Sequence, residues 1–135
     1  MNSQGYEEVE HIADLAIRVW GGDFHAILTA SAQGMYALMG ILLDITKPYD
    51  SSFNIKVEAR EIILVDFLTE ILYFCEYQKT AFDTFEFFND GEVLRVNARG
   101  SEVKKIERNI KAVTFHDLKI IPSTKGLETT IIFDV

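Results

Sequence analysis

The residues best suited to chemistry sit near the two ends of the sequence. Tyr6-Glu7-Glu8-Val9-Glu10-His11-Ile12-Ala13-Asp14 carries four carboxylates and neither Lys nor Arg. Taken alone, it reads as a solvated acidic segment. Asp14, however, directly precedes an apolar alternating run, where a fixed carboxylate can serve a hard cation, and such ions take oxygen ligands. The last residues, Ile132-Phe133-Asp134-Val135, place a side-chain carboxylate beside the α-carboxylate of Val135. Two anions that close repel unless water or a cation separates them. If the final strand lies beside the strand after Asp14, then Asp14, Asp134 and the Val135 carboxylate converge on one oxygen-only cation site. A third block, Ile110-Lys111-Ala112-Val113-Thr114-Phe115-His116, offers a lysine and a histidine. His116 alone on a strand reads as a structural hydrogen-bonder. Lys111 is either a solvated charge or the counter-ion of the acidic cluster, and His11 and His25 are open in the same way.

These residues need elements to hold them. Leu15, Ile17 and Val19 alternate with Ala16, Arg18 and Trp20, which is strand period. Gly21-Gly22-Asp23 is a turn whose aspartate is placed to cap a helix over Phe24 to Met39, stopping near Gly40. No Asp, Glu, Lys or Arg occurs from Phe24 to Leu43. The polar and glycine positions inside that stretch point to a buried helix rather than a membrane span. Lys47 to Ser52 reads as a loop, and Phe53 to Ala59 as an amphipathic strand. Leu64, Phe67, Leu68, Ile71, Leu72 and Cys75 form the stripe of a second helix. Ile55-Lys56-Val57 before this helix repeats Ile17-Arg18-Val19 before the first, a possible strand–helix duplication.

Strands about Phe85–Phe87 and Leu94–Ala98 flank Asn89-Asp90-Gly91, a hairpin turn. Gly100 to Ile110 is polar and mixed in charge. Ala112 to Ile121 reads as a strand bulged near Asp117, with Val113 and Phe115 facing inward. Pro122 to Gly126 is a turn and Leu127 to Asp134 the last strand. The expected fold is α+β, a mostly antiparallel sheet with two packed helices in one domain over 1–135.

Composition narrows the function. Thirteen Lys and Arg against 21 Asp and Glu give a formal net charge of −8, which argues against gripping a nucleic-acid backbone by bulk charge. The one locally basic stretch, Arg99, Lys104, Lys105, Arg108 and Lys111, reads as a solvated loop or partner surface, with a phosphate or RNA contact as the alternative. Cys75 is the single cysteine, so neither an internal disulfide nor a cysteine zinc site is available, and its place on an apolar stripe reads as core. Trp20 beside the glycine turn reads as a half-exposed anchor. The N-terminus lacks a signal peptide, so the cytoplasm is expected. No dinucleotide, Walker, zincin or esterase motif occurs.

Taken in order, several blocks resemble the archease family. They are Tyr6-Glu7-x-x-Glu10-His11-x-Ala13-Asp14, then Ala30-x-Ala32-x-Gly34-Met35, Val65 to Tyr73, Ile110 to His116, and Phe133-Asp134-Val135. Ile12 stands where that family usually has Thr, removing a hydroxyl beside the expected site, and Phe115 stands where Tyr is common. The resemblance implies a non-catalytic accessory protein. Its partner would be the tRNA-splicing RNA ligase, which joins 2′,3′-cyclic-phosphate or 3′-phosphate ends to 5′-hydroxyl ends. The protein would promote ligase guanylylation and turnover and reach RNA only through the ligase, with no membrane role.

The resemblance further implies a divalent-cation site, with calcium expected and magnesium or manganese as alternatives. It falls on Asp14, Asp134 and Val135. Glu10, His11, Lys111 and His116 would support the ligands or touch the partner. Two other readings are a stand-alone metal-dependent phosphoester hydrolase with His116 as base, and a chaperone-like binding module without a metal.

Overall fold

In the computed structural model, residues 3–9 and 15–135 are described. The elements are β1 (Gly5–Val9), β2 (Leu15–Gly21), α1 (Phe24–Met39), β3 (Leu42–Lys56), α2 (Arg60–Tyr77), β4 (Thr80–Asn89), β5 (Val93–Lys105), β6 (Ala112–Val113), β7 (Ile121–Ser123) and β8 (Gly126–Asp134). They form an α+β fold of two sheets and two helices. One sheet runs β1-β2-β8-β6, with β7 also paired to β8; the other runs β3-β5-β4. Every described pairing is antiparallel.

The helix boundaries follow local chemistry. The Asp23 carboxylate accepts the Ala26 N–H at 2.8 Å, so a capping side chain satisfies one of the donors that a helix start leaves free. At the other end Gly40 has φ +61°, the left-handed conformation that closes a helix and that glycine adopts without a Cβ clash. Its N–H and that of Ile41 donate back to Ala37 and Tyr36. Between the caps, Ile27, Leu28, Ala30, Ser31, Ala32, Gly34 and Met35 are all buried. Burial on several faces explains why the stretch carries no charge. The Ser31 hydroxyl is satisfied by the Ile27 carbonyl at 2.6 Å.

A single apolar cluster joins both helices to the inward faces of both sheets, including Ile17, Val19, Ile131 and Phe133 from one and Ile55, Phe82, Leu94 and Val96 from the other. Phe67 of α2 is fully buried and meets Phe85 edge-on at 5.3 Å and Phe87 at 5.7 Å between ring centroids. Phe53, Phe74 and Phe82 extend this aromatic layer. No described helix is long and apolar enough to cross a membrane.

Four local expectations are corrected. Residues 47–52 are not a loop: they belong to β3, which pairs with β5 past a bulge between Asp44 and Pro48. The bulge takes up residues 45–47, and the turn-like residues Pro48 to Ser52 pair in register with Ser101 to Asn97. Gly100 to Lys105 likewise continues β5. Ala112 to Ile121 is not one strand. β6 stops at Val113, Asp117 turns with φ +52°, and β7 begins at Ile121. Phe115 is therefore 55% exposed rather than inward. Part of the acidic segment, Gly5 to Val9, is an edge strand on β2. The two strand–helix units, β2–α1 and β3–α2, place their strands in different sheets.

Gly100 marks the tightest backbone approach. A Cβ built there would lie 1.8 Å from the Ala81 carbonyl oxygen and 2.6 Å from the Phe82 Cα. Neither is a flexible side-chain end. Gly100→Ala should therefore cost about 3 kcal/mol, the upper end of ordinary overpacking, as read by chemical denaturation. Gly91→Ala, with nothing within 4 Å of the added carbon, should cost less, through its positive φ alone.

Candidate functional site

The candidate site is built on the end of β8. Its C-terminal half is held on both sides: Leu15 pairs with Phe133 on the β2 side, while Ala112 pairs with Asp134 and Val113 with Phe133 on the β6 side. The Lys111 N–H donates to the Asp134 carbonyl at 2.8 Å, and the Thr114 N–H donates to the Ile132 carbonyl at 3.0 Å. Phe133 is fully buried, whereas Asp134 and Val135 are exposed. The alternation of the strand thus anchors an apolar ring inside and turns the Asp134 carboxylate to solvent from a paired backbone.

Asp14, Glu10 and His11 lie outside the described residues. Leu15 follows Asp14 in the sequence. Leu15 itself faces Phe133, the residue before Asp134.

Lys111 is exposed and adjoins Asp134 through its backbone. His116 lies beyond the end of β6. Its backbone N–H donates to Thr114 Oγ1 at 3.2 Å, and its Nε2 lies 3.3 Å from Asp117 Oδ2, both side chains being well exposed. His25, on the exposed side of α1, packs its ring against Phe87 at 5.1 Å. Among the described residues, no group of three or more His, Cys, Asp or Glu is assembled into a metal-binding cluster. The described candidates, Asp134 and Val135, offer oxygen donors of the kind that suit a hard divalent cation. In chemistry and exposure they fit such an ion.

The basic stretch has a structural use. Glu107 and Arg108 donate their N–H groups to the Met39 carbonyl at 2.9 and 3.1 Å, closing the C-terminus of α1. From there the chain runs through Ile110, which is buried, to Lys111. The end of α1 and the end of β8 are thus linked by one short segment. Further along, the Ile120 N–H donates to Glu61 Oε2 at 2.9 Å, tying the segment after Asp117 to the first turn of α2.

Cys75 is fully buried, and burial pushes its thiol up to about 11. It is a packing residue with no thiolate to offer at neutral pH. Trp20 is half-buried with the Lys125 ammonium 4.1 Å from its ring centre. The contacts that sequence reasoning did not find are the backbone bonds that hold β8. They have no side-chain signature, and the two-residue length of β6 leaves no period to detect.

Comparison with known proteins places this geometry. The archease protein family matches residues 6–135. Protein archease of Pyrococcus furiosus is 29% identical over 85% of this chain and 87% of its own. Protein archease of Methanopyrus kandleri is 30% identical over 85% and 88%. The crystal structure of a Thermotoga maritima archease, described as a possible chaperone, superposes with a TM-score of 0.70 at 25% identity, covering 96% of each chain. The solution structure of a Methanobacterium thermoautotrophicum protein gives 0.71 at 19% identity, covering 97% of this chain and 99% of that one, and shows the shared fold.

The buried and exposed neighbours at the end of β8 should separate cleanly on mutation. Phe133→Ala removes a fully buried ring and should cost about 3–5 kcal/mol. Asp134→Asn, at an exposed side chain, should stay within about 0.5 kcal/mol of wild type. Urea denaturation of both variants measures the difference.

Proposed function

This chain belongs to the archease family, a family of accessory proteins rather than enzymes, and on that premise we propose that it activates the RNA ligase of tRNA splicing. In this reading residues 1–135 act as one unit in the cytoplasm, promoting guanylylation and repeated turnover of the ligase. RNA is reached only through the ligase.

The observation that carries the reading is the clamped end of β8, which presents Asp134 and Val135 at the surface beside the residue that follows Asp14. We assign Asp14, Asp134 and the Val135 α-carboxylate as the residues that would hold a divalent cation, calcium first. When bound, the cation supplies positive charge at this otherwise anionic edge. Glu10, His11, Lys111 and His116 would orient these carboxylates or touch the partner. An excess of negative charge over the whole chain favours encounter with a basic, RNA-binding protein.

The hydrolase alternative gains no support at its proposed base. His116 is exposed, and the carboxylate beside its ring is that of Asp117. The chaperone-like reading keeps one point in its favour, the description of the Thermotoga maritima relative as a possible chaperone.

Guanylylation of the cognate ligase with GTP, with and without this protein, tests the proposal. The protein should accelerate guanylylation, and Asp14→Ala should abolish the acceleration. Lys111→Ala and His116→Ala should each lower it by about tenfold, the loss expected when a ligand's neighbour is removed. Acceleration that survives the Asp14→Ala, Asp134→Ala double substitution would favour a chaperone-like role without a metal. No acceleration by wild type would refute ligase activation.

A further inference from the structure

The two sheets leave a seam open along α1. Among the described residues β1 pairs only with β2 and β4 only with β5, so each is an edge strand there. Between these edges the C-terminal half of α1 comes to the surface at Gln33 and Ala37, its only exposed residues past Ala32. Two hollows flank this strip and share Ala37. One, of about 310 Å³, is floored by Tyr36, Ile41, Leu43 and Phe82. The other, of about 130 Å³, lies against Tyr6, Ile17 and Leu38.

The rim carries the carboxylates of Glu8 and Asp83, and no lysine or arginine lines either hollow. Glu8 pairs in register with the buried Ile17, so it sits on the helix-facing side of its strand. Tyr6, two residues earlier on the same face, is 39% exposed. The Phe82 N–H, on the free edge of β4, is already held by the Tyr36 hydroxyl at 3.2 Å. One donor of the β4 edge is thus taken by α1, and β1, with Tyr6 and Glu8 on its helix-facing side, is the edge that borders the smaller hollow.

The seam also adjoins the candidate site. β2 leads away from Leu15, and α1 returns to end at Met39. There the Glu107–Arg108 bonds connect to the segment that clamps Asp134. β1 ends at Val9, opposite Ala16 and next to the start of β2.

We propose that this seam is the docking cleft for the partner. Its occupant is an extended segment of the ligase that adds a strand to the β1 edge, places apolar side chains over Ala37, and sets a lysine or arginine against Glu8 and Asp83. This assignment rests on the ligase reading above. Strand addition supplies main-chain hydrogen bonds, the hollows supply side-chain specificity, and the acidic rim without cations selects a basic segment over an acidic one.

Binding of the cognate ligase to this protein, by biolayer interferometry, tests the inference apart from the reading it rests on. Ala37→Glu fills the exposed strip with a bulky carboxylate and should raise Kd at least tenfold, with the thermal midpoint near that of wild type. Glu8→Lys combined with Asp83→Lys, both exposed, should do the same by reversing the charge of the rim. Glu92→Lys, in the exposed β4–β5 turn, should bind as wild type does. If wild type binds and both the Ala37 and the double-lysine variants bind equally well, the cleft is overturned while ligase activation stands. If wild type itself neither binds nor stimulates the ligase, both fall together.

Discussion

The arrangement depends on β8 being paired along both edges. β2 runs down one side of it, and β7 and β6 take the two ends of the other. A last strand held on one side only would fray, because terminal residues are ordered only where something ties them down. Here the Asp134 carbonyl accepts from Lys111, and the Phe133 ring is fully buried next to it. The exposed Asp134 side chain beside it is carried on backbone paired to Ala112. A cation site needs this, since every degree of freedom left in a ligand must be lost on binding.

The core supplies the rigidity behind that strand. α1 is buried on several faces and capped at both ends by its own sequence, Asp23 before and Gly40 after. α2 is fixed differently. It has no side-chain cap, and it is held by its aromatic layer against β4 and by Glu61 accepting from Ile120. The segment from 106 to 121 therefore touches the end of α1, the end of β8 and the start of α2. It has little regular structure, yet it joins the three elements that frame the candidate site.

Much of this was legible in the sequence. The limits of α1, its Asp23 cap and its Gly40 stop follow from residue types whose local physics is strong. So do the alternation from Leu15 and the buried stripe Leu64–Cys75. Convergence of the two acidic ends depends on β2 lying beside β8, and the two strands do pair, antiparallel. The misreadings share one cause. Pro48, Asp50, Ser51 and Ser52 have turn chemistry, yet pairing with β5 carries them as strand past a bulge. Phe115 has an inward parity that holds only if the strand continues, and the turn at Asp117 follows close behind it. Tertiary pairing decided both, and no local pattern encodes it. The candidate cation residues Asp14, Asp134 and Val135 follow from the family resemblance together with the carboxylates at the two ends of the sequence, and the seam along α1 had no sequence signal at all.

Calcium titration by calorimetry tests the central claim, that the clamped end of β8 makes a cation site, most directly. The protein is compared with one carrying a Gly-Ser tail after Val135. The tail turns the α-carboxylate into a neutral amide and leaves the strand ladder untouched. The account predicts one cation bound by the untailed protein, an affinity weaker by about tenfold in the tailed one as an anionic ligand is lost, and the same melting temperature for both without metal. Equal calcium affinity in the two proteins would contradict it.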